Sequence, residues 1–256
     1  MLSERERNRY ERQLLFRPLG AEGQERLKAA MVVIAGVGAI GAMAANMLAR
    51  GGVGTLRLVD FDCVELSNLQ RQMLYDEEDV AQRRPKAEVA AERLRRANSD
   101  ISVQAAVAKV TGENAAELIA GADVVLDAVD NFRAKWALNA ACLEAGVPLV
   151  YAALSGSYGL VHAIIPGETA CLCCLYCEEP DAGSSETAAT AGVIGPTVAT
   201  VAALQVSQAM KLLIGARDDL ANDMIQVDVW DMEINLIPAP RKADCAACGC
   251  LSAQSC

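Results

Sequence analysis

"MVVIAGVGAIGAMAANMLA", from Met31 to Ala49, runs for nineteen residues without a charged side chain. Its reading decides the fold, and two readings compete: a membrane span and a nucleotide cradle. A span needs about 20 predominantly apolar residues. Here polar Asn46 interrupts the run, and Gly36, Gly38 and Gly41 stand in G-x-G-x-x-G spacing. "MVVIAG" reads as a strand and Ile40 to Gly51 as a helix. Glycines at that junction allow a tight turn and let a phosphate approach the helix-terminal N–H groups. The stretch is therefore read as a nucleotide site.

Outward from it, "TLRLVDF" completes a β-α-β unit and delivers Asp60 nineteen residues after Gly41. A carboxylate there can accept hydrogen bonds from ribose hydroxyls. The fingerprint alone does not separate NAD from ATP, and for a lone fingerprint NAD is the default. The continuation "VDFDCVELSNLQRQMLY" shifts the balance, because Asn68, Arg71 and Gln72 follow closely and Lys86 comes soon after. Such side chains can clamp a triphosphate, whereas hydride transfer needs no arginine aimed there. An arbitrary Arg or Lys is more often a solvated surface charge, so both readings stand at this point.

The pattern continues on both sides. An amphipathic helix is expected over Glu4 to Phe16 and a short one over Ala21 to Leu27. Pro85 sits near the first turn of a crossover helix in "RPKAEVAAERLRRAN". "SVQAAVAKV", "ADVVLDAVD" and "VPLVYAAL" read as strands, separated by helices in "ENAAELIAG" and "NFRAKWALNAACLEAG". This alternation predicts an α/β fold with a doubly wound, mostly parallel sheet. From Gly156 the pattern changes, and "YGLVHAIIP" and "DMIQVDVWDM" predict some antiparallel strands. Glu178 to Gly192 reads as a mobile loop. The helix in "GPTVATVAALQVSQAMKLLIG" is apolar nearly all round, so it is expected inside the fold or at a subunit interface.

The 256 residues are 53% hydrophobic, enough for a large core. One globular domain is expected over 1–256. The formal charge of -10 argues against a general affinity for nucleic acid, so an anionic ligand must be held locally. The N-terminus lacks the pattern of a secretory signal, which predicts a cytoplasmic protein. In that reducing compartment ten cysteines point to metal ligation or thiol chemistry rather than disulfides. Two C-x-x-C pairs, Cys171/Cys174 and Cys245/Cys248, suit tetrahedral zinc. Cys174/Cys177 is a rival pair, and Cys173 and Cys250 lie nearby. Cys63 and Cys142 fall in ordinary core segments, and the one histidine, His162, reads as a packing residue on a strand.

Together, "RYERQ", "GVGAIG", "DFDCVELSNLQRQ", Lys86 after Pro85, "DAVDN" at Asp127 to Asn131, "GP" at Gly195 and the paired cysteines occur in order along nearly the whole chain. In this the sequence resembles the ThiF/MoeB/HesA adenylyltransferases of the ubiquitin-activating-enzyme-like superfamily. The resemblance implies a Rossmann-like domain whose nucleotide half covers about 1–155, with carrier, zinc and dimer functions in about 156–256. It implies ATP-dependent adenylation of the C-terminal glycine carboxylate of a ubiquitin-like sulfur-carrier protein ending in Gly-Gly, with pyrophosphate released. Such a carboxylate is ionised at neutral pH and needs no general base.

By the same resemblance Arg71 and Lys86 contact phosphates, Asp130 ligates magnesium, and Gly36, Gly38, Gly41, Asp60, Asn68, Gln72 and Asn131 hold the nucleotide. Arg12 reaches across a homodimer to the partner's ATP. Cys171, Cys174, Cys245 and Cys248 are preferred as the zinc ligands because they match the family spacing. Many members carry a cysteine just before "AGV", where this chain has "TAATAGV" with Ala188. That implies an enzyme that stops at the adenylate unless Cys173 or Cys177 substitutes. Lys135 stands where members often have arginine. The alternatives are adenylation of a peptide C-terminus in natural-product synthesis, a NAD-dependent oxidoreductase, and an inactive scaffold.

Overall fold

The structure is a computed structural model, and it describes residues 1–176, 179 and 191–249. Most of the expected 178–192 loop, with Ala188, lies outside the described residues, as do Cys177, Cys250 and Cys256.

The N-terminus forms α1 (Glu4–Arg9), α2 (Glu11–Leu14) and α3 (Gly20–Ala29). The single helix expected over Glu4 to Phe16 is thus broken at Tyr10. The reason is packing: Tyr10 is buried, and its hydroxyl accepts from Asn98 Nδ2 at 2.9 Å. The next elements are β1 (Met31–Ala35), α4 (Ala39–Gly51), β2 (Thr55–Val59), α5 (Glu77–Ala81), α6 (Lys86–Ala97) and β3 (Ser102–Ala106). They are followed by α7 (Ala115–Ile119), β4 (Val124–Asp127), α8 (Phe132–Ala145), β5 (Leu149–Ser155) and β6 (Tyr158–Ile164). The chain continues through α9 (Leu172–Tyr176), α10 (Gly195–Ile214), β7 (Met224–Asp228) and β8 (Glu233–Ile237).

Among the described residues these strands form one eight-stranded sheet in the order β3-β2-β1-β4-β5-β6-β7-β8. The first five are parallel, and β6, β7 and β8 add antiparallel edges. The doubly wound, mostly parallel α/β prediction therefore holds. The central β4 is buried along its whole length, as a parallel strand covered on both faces should be. One face carries α3, α4, α6 and α10, and the other carries α7, α8 and α9.

After β1 the chain moves to β2 and β3 on one side, then returns to β4 on the other. Ligands of open α/β sheets bind at such a switch point, beyond the carboxyl ends of the strands. Register brings Ala35, Val59, Asp127 and Tyr151 to that edge together. Gly36, with φ +85°, leaves β1 so close to β4 that a Cβ there would lie 2.5 Å from the Ala128 carbonyl oxygen.

Gly195–Ile214 is, among the described residues, the one helix long and apolar enough to cross a membrane. It packs across α3, α4, β5 and β6. Its buried Gln205 donates from Nε2 to the carbonyls of Asp127 (2.9 Å) and Val150 (2.8 Å), an arrangement that ties the helix to the sheet edge.

The third glycine of the fingerprint has a packing role. A Cβ at Gly41 would lie 1.9 Å from the Gly36 carbonyl oxygen, a backbone atom that cannot move without displacing the loop. Gly41→Ala is therefore expected to cost about 3 kcal/mol by overpacking, measured as a loss of unfolding free energy in urea.

Candidate nucleotide and metal sites

The switch-point cavity has a volume of about 280 Å³, near the lower bound of roughly 300 Å³ for small-molecule sites. Gly36, Gly38, Asp60, Arg71, Gln72, Lys86, Asp130 and Asn131 line it, so most of the expected nucleotide residues meet there. Gly41, Asn68 and Arg12 are not among the lining residues. Gly41 packs behind the loop. Asn68 is buried and caps a short 3-10 turn, Leu66–Asn68.

Each lining group is positioned by a local device. Asp60, at the end of β2, accepts from the N–H groups of Val37 (2.7 Å) and Asp62 (2.8 Å). It thereby clamps the glycine loop to its own strand. Burial pushes its carboxyl pKa up, and the two N–H donors oppose that rise. Each carboxylate oxygen retains a further acceptor position for a ribose hydroxyl. The Tyr75 hydroxyl donates to the Val37 carbonyl at 2.6 Å and holds the same loop from the other side. Gln72 is buried, and its Oε1 has no partner.

The cations are held in two different ways. Lys86 is buried at the start of α6 with its Nζ 3.1 Å from Asp62 Oδ2. Asp62 is half-exposed, so this ion pair is only partly shielded from water. Lys135 is also buried, but its Nζ contacts Asp127 Oδ1 (3.0 Å), Asp127 Oδ2 (3.1 Å) and the Ala152 carbonyl (2.8 Å). An ammonium has three donors, and all three are used. Asp127 is fully buried; burial pushes its pKa up, and Lys135 opposes the shift. Lys135 is thus part of the pocket floor rather than a free phosphate ligand. Arg71 is half-buried, and its Nη1 donates to the Ser67 carbonyl at 2.9 Å.

Asp130 is exposed at the mouth of the pocket. Asn131 caps α8, with Oδ1 accepting from the Ala134 N–H at 2.9 Å. Arg12 lies on α2 with its side chain 87% exposed, away from this pocket. The neighbours of Arg12 explain the helix break: Gln13 Nε2 donates to the Gly51 carbonyl at 2.9 Å, and Tyr10 packs on Gly52. In "RYERQ", then, Tyr10 and Gln13 seat the N-terminal helices on the end of α4, and Arg12 faces outward.

The sequence reading missed Lys109, Phe61 and Asp62 as pocket residues, and noted Lys135 only as a replacement for the family's arginine. Lys109 Nζ lies 5.4 Å from the Phe61 ring centroid, in the loop after β3. The expected strand ran to Val110 but ends at Ala106. A shorter strand would have flagged Lys109, since loops at carboxyl ends of parallel strands form the ligand edge.

On the α8 side, Cys171, Cys174, Cys245 and Cys248 bring their Sγ atoms within 4.8 Å of one another. The spacings are 3.9 Å for Cys171–Cys174, 3.7 Å for Cys171–Cys245 and 3.5 Å for Cys174–Cys248. Zinc–sulfur bonds of about 2.3 Å put the corners of a tetrahedron about 3.8 Å apart. The four thiols fit zinc, and the Lys242 N–H points at Cys174 Sγ at 3.4 Å, as an outer hydrogen bond to a thiolate would. Cys173 is outside the cluster. Cys142 is buried, which pushes its thiol up to about 12, whereas Cys63 is only half-buried. His162 is buried with Nε2 at 3.0 Å from the Ala170 carbonyl, a packing residue as expected.

Comparison with known proteins agrees with this geometry. The chain is 46% identical over 243 residues to the sulfur carrier protein ThiS adenylyltransferase of Bacillus subtilis (strain 168), covering 94% of this chain and 71% of that protein. Its structure is similar to Escherichia coli MccB with ATP, with TM-score 0.83 and 27% identity over 97% of this chain and 77% of that one. It is also similar to the microcin C7 biosynthetic enzyme MccB in complex with N-formylated MccA, with TM-score 0.81 and 27% identity over 97% and 77% of the two chains. The model of the ThiF family matches residues 10–249, from the N-terminal helix pair through the last cysteine pair. The chain belongs to the ThiF family.

Proposed function

We propose that this adenylyltransferase activates the C-terminal glycine carboxylate of a ubiquitin-like sulfur-carrier protein as an acyl-adenylate. The observation that carries the reading is the pocket itself: the glycine loop, Lys86 and Arg71 converge on the cavity at the switch point, where ligands of open α/β sheets bind. The 46% identity to a sulfur-carrier adenylyltransferase supports the choice of substrate.

In the reaction a carboxylate oxygen of the carrier forms a bond to the α-phosphorus. The α–β anhydride bond breaks, and its electron pair leaves with pyrophosphate. No proton has to be removed, which suits a pocket without histidine. The protein must bring two anions together and stabilise the leaving charge. Lys86, released from Asp62, and Arg71 take the phosphates. Asp60 takes the ribose, and the N–H groups at the start of α4 face the phosphates. Asp130, exposed at the pocket mouth beside Asn131, would hold magnesium, a hard cation that suits carboxylate and phosphate oxygens and neutralises their charge. The cysteine cluster holds zinc and ties the end of the chain to α9. Arg12, exposed on α2, serves the pocket of a second copy in a homodimer.

A second reading, adenylation of a peptide C-terminus, is favoured by the likeness to MccB complexed with N-formylated MccA.

ATP, magnesium and labelled pyrophosphate are expected to exchange label into ATP only when a Gly-Gly-ended carrier is added. Exchange with short peptides instead would favour the second reading, and exchange with neither would overturn both. Lys86→Ala should slow exchange about 100-fold, measured under saturating carrier. Mixing inactive Arg12→Ala and Lys86→Ala proteins should restore about a quarter of wild-type exchange, because random reassortment gives half the dimers one intact site in two. No recovery on mixing would overturn the assignment of Arg12 to the partner's pocket. Metal analysis should find one zinc per chain and almost none in Cys245→Ser; unchanged stoichiometry would overturn the ligand set.

A further inference from the structure

We propose that Tyr176 is a positioning residue that joins the cysteine cluster to the floor of the nucleotide pocket, an inference that rests on reading that pocket as an ATP site. Helix α9 has five residues, too few to hold its shape through its own hydrogen bonds. It is fixed instead by its contacts. Cys171 and Cys174 belong to the four-thiol cluster, and the Leu172 N–H donates to Asn139 Oδ1 of α8 at 3.1 Å. Tyr176 ends this helix, two residues beyond Cys174.

From there the Tyr176 ring meets three aromatic neighbours. Phe132 lies edge-on at 5.8 Å and 72°, Trp136 is tilted at 6.0 Å, and Tyr151 stands edge-on at 6.3 Å and 70°. The Tyr151 and Tyr176 hydroxyls are 2.8 Å apart. Tyr151 is fully buried on β5, in register with Asp127, and Lys135 Nζ sits 4.9 Å above its ring. Lys135 in turn holds the Asp127 carboxylate, whose Oδ1 also accepts from the Val129 N–H at 3.3 Å.

The consequence concerns the short segment that carries Asp130 and Asn131. It is anchored at one end by Asp127 and at the other by Phe132. Tyr176 reaches the first anchor through Tyr151 and Lys135, and touches the second directly. A metal that fixes α9 therefore fixes the mouth of the nucleotide pocket, and nucleotide that orders that mouth must hold the metal more firmly in return.

The test uses the full chain in a Trp230→Phe background, leaving Trp136 as the reporter, since the sequence has two tryptophans and Trp230 is exposed. Tyr176→Leu is expected to keep one zinc per chain, shift Trp136 emission and weaken a non-hydrolysable ATP analogue at least fivefold by calorimetry. Tyr176→Phe, which keeps the ring, should fall between Tyr176→Leu and the tyrosine protein. Full zinc with unweakened analogue binding in Tyr176→Leu overturns the proposal. Should that variant fail to fold, the protein with Tyr176 intact still decides. A saturating analogue should raise at least threefold the chelator concentration needed to extract half the zinc, and extraction indifferent to the analogue overturns the coupling. If the protein with Tyr176 intact binds no analogue, the ATP reading falls and this inference with it; binding without coupling removes this inference alone.

Discussion

The approach of two backbone loops at the switch point governs this structure. Gly36 leaves β1 and Ala128 leaves β4 so closely that no side-chain carbon fits between them, and Gly41 packs on the far side of the same turn. Everything that lines the pocket is placed relative to that contact. Asp60 clamps the turn to β2 and Tyr75 holds it from the opposite side, while Asp127 and Gln205 fix the β4 side. A single added methyl at Gly41 disturbs both, which is why the fingerprint is a constraint on packing as much as on phosphate binding.

On this frame the protein mounts cations inside a chain whose formal charge is -10. Long-range attraction for ATP is therefore absent, and affinity must come from short-range, desolvated contacts. The two buried lysines illustrate different solutions. Lys86 pairs with a half-exposed carboxylate that water also reaches. Lys135 neutralises a carboxylate with no exposure at all, and removing it would leave a buried charge without compensation, at about 3–5 kcal/mol. The pocket separates a partly solvated ion pair from a sealed one, and burial of the partner acid decides which is which.

Much of this was legible in the sequence, because it is written in local patterns. The glycine spacing, the strand–helix alternation and the paired cysteines each report a neighbourhood of a few residues. What was not legible depends on contacts between distant segments. Tyr10 breaks the first helix because Asn98, 88 positions away, needs its hydroxyl. Nothing local in the sequence marks Asp62 and Asp127 as the partners of Lys86 and Lys135. The edge strand β8 carries exposed Ile234 and Leu236 next to Glu233 and Asn235, so it lacks the buried face that makes a strand visible in a sequence. Lys109 was hidden by a strand boundary misplaced by four residues, from Ala106 to Val110.

The position of the cysteine cluster follows from the same topology. The chain must return after β6 to the face that α8 covers, and the C-terminal cysteines meet α9 there rather than on the α10 face. Among the described residues, α8 and β5 lie between that cluster and the pocket, and both elements begin or end at the pocket edge. Aromatic side chains fill the gap: Phe132 and Trp136 from α8, Tyr151 from β5 and Tyr176 from α9. Large rigid rings transmit displacement better than flexible aliphatic chains, since each has few rotamers and preferred edge-to-face contacts. A cysteine cluster that fits zinc, in a segment remote in sequence, thus ends one close-packed layer from the residues that would receive the nucleotide.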